Sequence, residues 1–187
     1  MAAQLKVITL HGSLRKGSFN HALARAQQKL VPAGMSISEA PSWADIPLYN
    51  ADDQGSTGFP APVKALADAI RAADGVIIVS PEYNYGLPGG LKNAIDWVSR
   101  TENQPFKDKP VAIQSATGGP LGGSRVQYQW RQVMVFLEAH TFNKPEIFVG
   151  SAQNKFENGE LKDQATADII KQHLAAFETY IRKISGK

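Results

Sequence analysis

Apolar runs alternate along this chain with segments whose apolar residues recur at helical spacing, and the alternation continues from end to end. Leu5 to Leu10 reads as a strand, Asn20 to Leu30 as a helix, and Met35 to Glu39 as a shorter second strand. An Ala-rich amphipathic helix over 61–73 precedes a third strand, Gly75 to Ser80. Its centre, Val76-Ile77-Ile78-Val79, has no polar position, the pattern of a parallel strand buried on both faces. Pro88 suits the first turn of the next helix, where its missing N–H is no loss. That helix runs to about Arg100 with Leu91, Ile95 and Val98 on its inner face. Val111 to Ala116 then reads as a strand, Ser124 to Glu138 as a helix and Thr141 to Val149 as a fifth strand. The last helix covers 164–184, with Ile169, Ile170, Leu174, Phe177 and Ile181 at core spacing. Residues 41–60 form a long connection rich in Pro, Asp and Gly, a length typical of functional loops.

Five strands and five helices in strict alternation imply βαβ units, with right-handed crossovers placing helices on both faces of a parallel sheet. The predicted fold is α/β, a three-layer flavodoxin-like sandwich with a five-stranded parallel sheet in the order 2-1-3-4-5. Ligands of such sheets lie at the carboxyl ends of the strands, where the order reverses. With no repeat, low-complexity tract or linker, residues 1–187 read as a single domain.

Composition removes whole classes of chemistry. The chain has no cysteine, which excludes disulfide scaffolds, iron–sulfur clusters, cysteine-ligated metals and thiol nucleophiles. Its 20 basic and 17 acidic residues leave a net charge of +3 without any basic block, so no nucleic-acid partner is expected. A modest positive field still favours anionic substrates. No charged-then-apolar leader and no membrane-length apolar run are seen, so the expected location is cytoplasmic, without a membrane partner. The four histidines show no metal-ligand spacing and no metal is expected; the three tryptophans read as core or interface residues.

Three loops fall on the carboxyl edge. The first, His11-Gly12-Ser13-Leu14-Arg15-Lys16-Gly17-Ser18-Phe19-Asn20, carries glycines that let backbone N–H groups turn inward and two serine hydroxyls. Arg15 can grip phosphate oxygens in a two-pronged geometry, and the helix that follows offers its positive end. Taken alone, this loop is either a cradle for a terminal phosphate or a turn that caps a helix. It matches neither the dinucleotide glycine fingerprint nor a P-loop. Low-molecular-weight tyrosine phosphatases use a similar loop but need a cysteine. The third loop, Ser115 to Gly123, has four glycines in nine residues, which lets backbone lie against a planar ligand.

The second loop, Pro81-Glu82-Tyr83-Asn84-Tyr85-Gly86-Leu87-Pro88-Gly89-Gly90-Leu91-Lys92-Asn93-Ala94-Ile95-Asp96-Trp97, resembles the flavin-contacting loop of the NADPH-dependent FMN reductase family, most of all its bacterial quinone and chromate reductases. The first loop resembles the family's Gly-Ser-x-Arg-x-x-Ser-x-Asn motif, and the likeness covers nearly the whole chain, including Ala152 to Phe156 and Asn158 to Leu161. The resemblance implies FMN bound by Gly12, Ser13, Arg15, Ser18, Phe19 and Asn20, by Pro81, Glu82, Tyr83, Asn84 and Tyr85, and by Ser115, Thr117, Gly118 and Gly119. It implies NADPH or NADH as electron donor and a small-molecule acceptor: quinones, with chromate, azo compounds or free flavin as further candidates. No side chain is expected to be catalytic, because the cofactor carries the hydride. A homodimer or homotetramer is implied, with Arg125, Tyr128 and Glu146 meeting across subunits. Arg125 opposes the dipole of the helix it opens and calls for a carboxylate partner, for which Glu146 is a candidate. Tyr85 and Arg100 are candidates for substrate contact, although Arg100 equally suits a helix-end cap. Glu82 has no second carboxylate or histidine beside it, which weakens a hydrolytic reading. The alternative is a flavodoxin-type FMN electron carrier, whose usual acidity a pI near 9.1 does not match.

Overall fold

A computed structural model describes residues 3–187. Strand β1 (Leu5–His11) leads into α1 (Phe19–Leu30) and β2 (Met35–Glu39). Next come α2 (Ala51–Thr57), α3 (Ala61–Ala72), β3 (Gly75–Ser80), α4 (Gly89–Val98), β4 (Pro110–Ala116) and α5 (Ser124–Phe136). The chain finishes with β5 (His140–Thr141), β6 (Ile147–Val149), a short hairpin β7 (Phe156–Glu157) and β8 (Glu160–Leu161), and α6 (Gln164–Ser185). The main sheet is parallel in the order β2-β1-β3-β4-β5, with β6 also paired to β4, which is the flavodoxin-like order expected from the sequence.

The period-two alternation of a strand sorts the core into two layers. Ile8, Leu10, Val76, Ile78, Val111 and Ile113 face α3, α4 and α5. Val7, Ile77, Val79 and Ala112 face α1 and α6, where Leu23, Ile170, Leu174 and Phe177 close over them. Every residue of β3 and β4 is buried, as the unbroken apolar run of β3 requires, and in β4 this includes the polar Gln114 and Ser115.

Two elements differ from the sequence reading. The strand expected over Thr141 to Val149 is two short strands, because Pro145 lacks the N–H a ladder needs and the chain leaves the sheet between Phe142 and Glu146. The connection at 41–60 contains α2, a sixth helix with no buried residue. Its start is fixed by Asn50, whose side chain accepts from the Asp52 amide, and by Asp52 and Asp53 in the first turn. Capping forms this helix, so apolar periodicity could not reveal it.

Candidate functional site: three loops at the carboxyl edge of the sheet

The turn between β1 and α1 is tightly built. Gly12 donates its amide to the Val79 carbonyl at 2.9 Å. A Cβ there would lie 2.8 Å from Pro81 Cδ and 2.9 Å from Pro88 Cγ, so this close crossing of two loops admits only glycine. Ser18 caps α1, its hydroxyl accepting from the His21 amide at 3.3 Å. The first turn of α1 holds no acidic residue, which leaves its positive end available to an anion. Ser13 is buried, and its Oγ accepts from the Arg15 amide at 3.4 Å. The Arg15 guanidinium lies 5.7 Å from the Phe19 ring centroid, and Phe19 in turn packs on Phe156.

Asn20 ties the first loop to the third. Its Nδ2 donates to the Ala116 carbonyl at 2.8 Å and its Oδ1 accepts from the Ala116 amide at 2.9 Å. Both ends of the buried amide therefore help fasten the first loop to the end of β4. Asn20 thereby positions the site, with one Nδ2 hydrogen still uncommitted.

The second loop is a hairpin. Tyr83 and Gly86 exchange backbone hydrogen bonds of 3.1 and 2.8 Å across Asn84 and Tyr85, which both have positive φ, 50° and 62°. Two consecutive non-glycine residues in the left-handed region are costly, and such strain clusters at ligand sites. The turn lifts Tyr83 and Tyr85 to 51% and 66% exposure while the Tyr83 hydroxyl stays 3.5 Å from Ser13 Oγ, joining loops one and two. Pro81 is buried, and its carbonyl accepts from the Ser80 hydroxyl.

Glu82 is a cap. Its Oε2 accepts from the Val126 amide at 3.0 Å, at the start of α5, and its Oε1 is 3.6 Å from Arg125 Nη1. Arg125 stacks 4.1 Å above the Tyr85 ring, and Gln129 Nε2 donates to the Tyr85 carbonyl at 2.6 Å. Within the chain the carboxylate beside Arg125 is Glu82. Glu146 instead faces Lys144 at 3.0 Å and Arg131 at 3.8 Å.

In the third loop Ser115 is fully buried, donating to the Gly122 carbonyl at 2.6 Å and accepting from Gln127 Nε2 at 2.7 Å. Like Asn20, it shapes the loop from behind. Thr117 Oγ1 donates to the Gly119 carbonyl at 3.2 Å, while Gly118 and Gly119 are exposed and present bare backbone. Nothing lies within 4 Å of where a Cβ on Gly119 would sit.

Arg100 is not brought to these loops within this chain. It follows α4, which starts at the loop edge and runs back toward the opposite edge, and its guanidinium lies 5.3 Å from the Tyr49 ring centroid. Tyr128 is 60% exposed on the outer face of α5.

A cavity of about 420 Å³ opens beside the first loop, lined by Ser13, Arg15, Lys16, Arg25, Glu39 and Trp43 among others. Trp43 Nε1 donates to the His11 carbonyl at 2.8 Å, which fixes one wall. Two histidines unremarkable in the sequence, His11 and His21, stack on that wall with centroids 4.2 Å apart. Burial, and then the neighbouring His11, hold the His21 pKa below the ordinary histidine value. Nothing in the spacing of His11, His21 and Glu39 announces their meeting; only the parallel pairing of β1 with β2 does.

Comparison with known proteins gives one consistent answer. The sequence profile of the NADPH-dependent FMN reductase family matches residues 5–154. A quinone reductase of Escherichia coli (strain K12) is 54% identical over 186 residues, spanning 98% of this chain and 99% of that protein. An NAD(P)H-dependent FMN reductase of Pseudomonas aeruginosa is 46% identical over the whole of both chains. Among solved structures, a flavoenzyme NAD(P)H:(acceptor) oxidoreductase from Paracoccus denitrificans superposes with a TM-score of 0.84 at 31% identity, covering 96% of this chain and 98% of that one.

Proposed function

Because this chain belongs to the NADPH-dependent FMN reductase family, we propose that the three loops at the carboxyl edge hold FMN and that the protein uses it to pass electrons from NAD(P)H to quinones. The reading is carried by one observation. The Tyr83–Ser13 contact and the Asn20–Ala116 pair draw all three loops together at the end of β1, β3 and β4.

The residues present fit the cofactor. Ser13, Ser18, the Arg15 guanidinium and the open N-terminus of α1 make a cradle for a phosphate, with no acidic residue in that turn. Tyr83 and Tyr85 are large, exposed aromatic faces held by a rigid turn, suited to flank a flat ring system. The exposed backbone of Gly118 and Gly119 has room to lie along a polar ring edge and offer N–H donors to developing negative charge, while the Thr117 amide is held by the Val149 carbonyl. FMN, when bound, supplies the hydride and electron transfer. The chain's own work is to orient the ring, leave one face open beside Tyr83 and Tyr85, and place the phosphate against α1.

Chromate, azo compounds and free flavin are further proposed acceptors, since a site open on one face selects weakly among oxidants. We place the activity in the cytoplasm, where NAD(P)H is available; no helix among the described residues is long and apolar enough to cross a membrane. A homodimer or homotetramer is proposed through the outer face of α5, which exposes Tyr128, Val135 at 75% and Phe136 at 77%. Arg125 lies on the same helix, whereas Glu146 is already engaged within its own chain.

The deciding experiment supplies FMN-loaded protein with NADPH or NADH and a soluble quinone, with no other protein present. Steady oxidation of the nicotinamide is expected. Retained FMN without turnover would identify a flavodoxin-type carrier and end the proposal.

A further inference from the structure

We propose that His11, His21 and Glu39 form a binding site for a divalent transition-metal ion, of the zinc class, in the wall of the cavity beside the first loop. His11 closes β1, Glu39 closes β2, and His21 lies in the first turn of α1. The parallel pairing of β1 with β2 and the turn into α1 bring the three together. His11 Nε2 is 2.7 Å from Glu39 Oε1, and His21 Nε2 is 3.2 Å from the same oxygen. One ligand atom from each residue lies within 4.8 Å of the other two. Two imidazole nitrogens and a carboxylate oxygen are an established donor set for zinc and related ions.

The second nitrogen of His11 explains why a cation belongs there. His11 Nδ1 lies 3.0 Å from the Ser13 carbonyl, an acceptor only, so Nδ1 carries the hydrogen. That bond fixes the tautomer and aims the Nε2 lone pair at the Glu39 carboxylate. A backbone carbonyl holding the far nitrogen is the usual outer support of a metal-bound histidine. A lone pair and a carboxylate oxygen at 2.7 Å repel unless something positive lies between them. A proton meets that need for one ring; a metal ion meets it for both rings, which converge on a single carboxylate. Small side-chain torsions would open the pairs to the spacing set by metal–ligand bonds of about 2.0–2.2 Å. The remaining coordination positions face the cavity, where water or an anion drawn by Arg15 and Lys16 completes the shell.

None of His11, His21 and Glu39 is itself a proposed flavin contact, although His11 is bonded to the Ser13 carbonyl, so the site is tested by metal content, with FMN content monitored. FMN-loaded protein stripped with a chelator is dialysed against Zn²⁺ and its metal content measured. X-ray absorption at the zinc edge then reports the ligands. Expected are one Zn²⁺ per chain and an imidazole scattering signature with Zn–N near about 2.0 Å. His21→Ala and the isosteric Glu39→Gln should each weaken binding at least roughly 10-fold while keeping FMN content and thermal stability without metal. His140→Ala, at an exposed histidine on a different part of the sheet, should bind as the wild type does. Absence of stoichiometric zinc, zinc without imidazole scattering, or affinity unchanged in both site variants would overturn the proposal. In those cases a shared proton accounts for the cluster.

Discussion

Replacing Asn20 by aspartate changes one donor into an acceptor with almost no change in shape. In the wild type Nδ2 donates to the Ala116 carbonyl at 2.8 Å, in a site where Asn20 is 4% exposed. In Asn20→Asp an anionic oxygen faces that carbonyl, while the other oxygen still accepts from the Ala116 amide as Oδ1 does now. Removing one partner of a buried hydrogen bond costs about 1–3 kcal/mol, and the upper end applies when a charge is left unpaired. A loss of about 3 kcal/mol corresponds to raising the new carboxyl by about 2 pKa units, from about 4 toward about 6. A raised folded-state pKa means the loss is absent when both states are protonated and grows as pH rises through that interval. The deficit should be complete at pH 8, about 3 kcal/mol, and roughly half of that at pH 5, where the protonated acid can again donate. Urea unfolding of variant and wild type side by side at the two pH values makes the comparison, since shared titrations cancel. FMN affinity should fall with it, because loops one and three lose their fastening. A variant as stable as wild type at pH 8, or a deficit independent of pH, would refute the assignment of Asn20 as a buried, donor-requiring strut.

Three further outcomes follow from the same geometry. Arg15→Ala should weaken FMN binding by about 1.5–3 kcal/mol while leaving riboflavin, which lacks the phosphate, unaffected in a fluorescence titration; equal loss for both flavins would remove Arg15 from the phosphate. Gly12→Ala forces a Cβ against the rigid rings of Pro81 and Pro88 and should lower stability by about 1–3 kcal/mol, together with flavin content in the purified protein; unchanged thermal unfolding would show that the loops do not cross so closely. His173 is buried, bonded through Nδ1 to the Pro145 carbonyl, and its Nε2 has no partner among the described residues; desolvation lowers its pKa to about 4. Its folded pKa lies below the unfolded one, so stability should be undiminished above about pH 6.5 and fall by about 3 kcal/mol as pH drops toward 4. His173→Leu should flatten that part of a urea-denaturation pH profile, and a slope identical to wild type would contradict the assignment.

What could be read from the residues was whatever rests on local pattern. The apolar runs placed β3 and the first half of β4, and alternation with helices gave a parallel sheet, whose order matches the flavodoxin-like one. Pro145 is a visible signal that the run from Thr141 to Val149 does not remain one strand, because it has no N–H for the ladder. The helix α2 depends on Asn50 as its cap and buries nothing, so hydrophobic patterning was blind to it. In the site, the turn residues of loops one and two lay open to inspection because a motif is contiguous. The roles of Asn20, Ser115 and Glu82 did not. Each acts on a partner far along the chain, Ala116, Gln127 and Val126, and a polar residue in a ligand loop looks the same whether it faces the ligand or braces the backbone. The meeting of His11, His21 and Glu39 was hidden for the same reason: three short-range neighbourhoods converge only once the strands pair.

The central claim, that the joined loops hold FMN and expose it to both nicotinamide and acceptor, is tested most directly by anaerobic stopped-flow absorbance of the purified, FMN-loaded protein. Mixing with NADPH or NADH should bleach the visible flavin band, and a following pulse of quinone should restore it in full with no other protein present. A chain that retains no FMN, or retains it with a band that neither nicotinamide changes, would contradict the account.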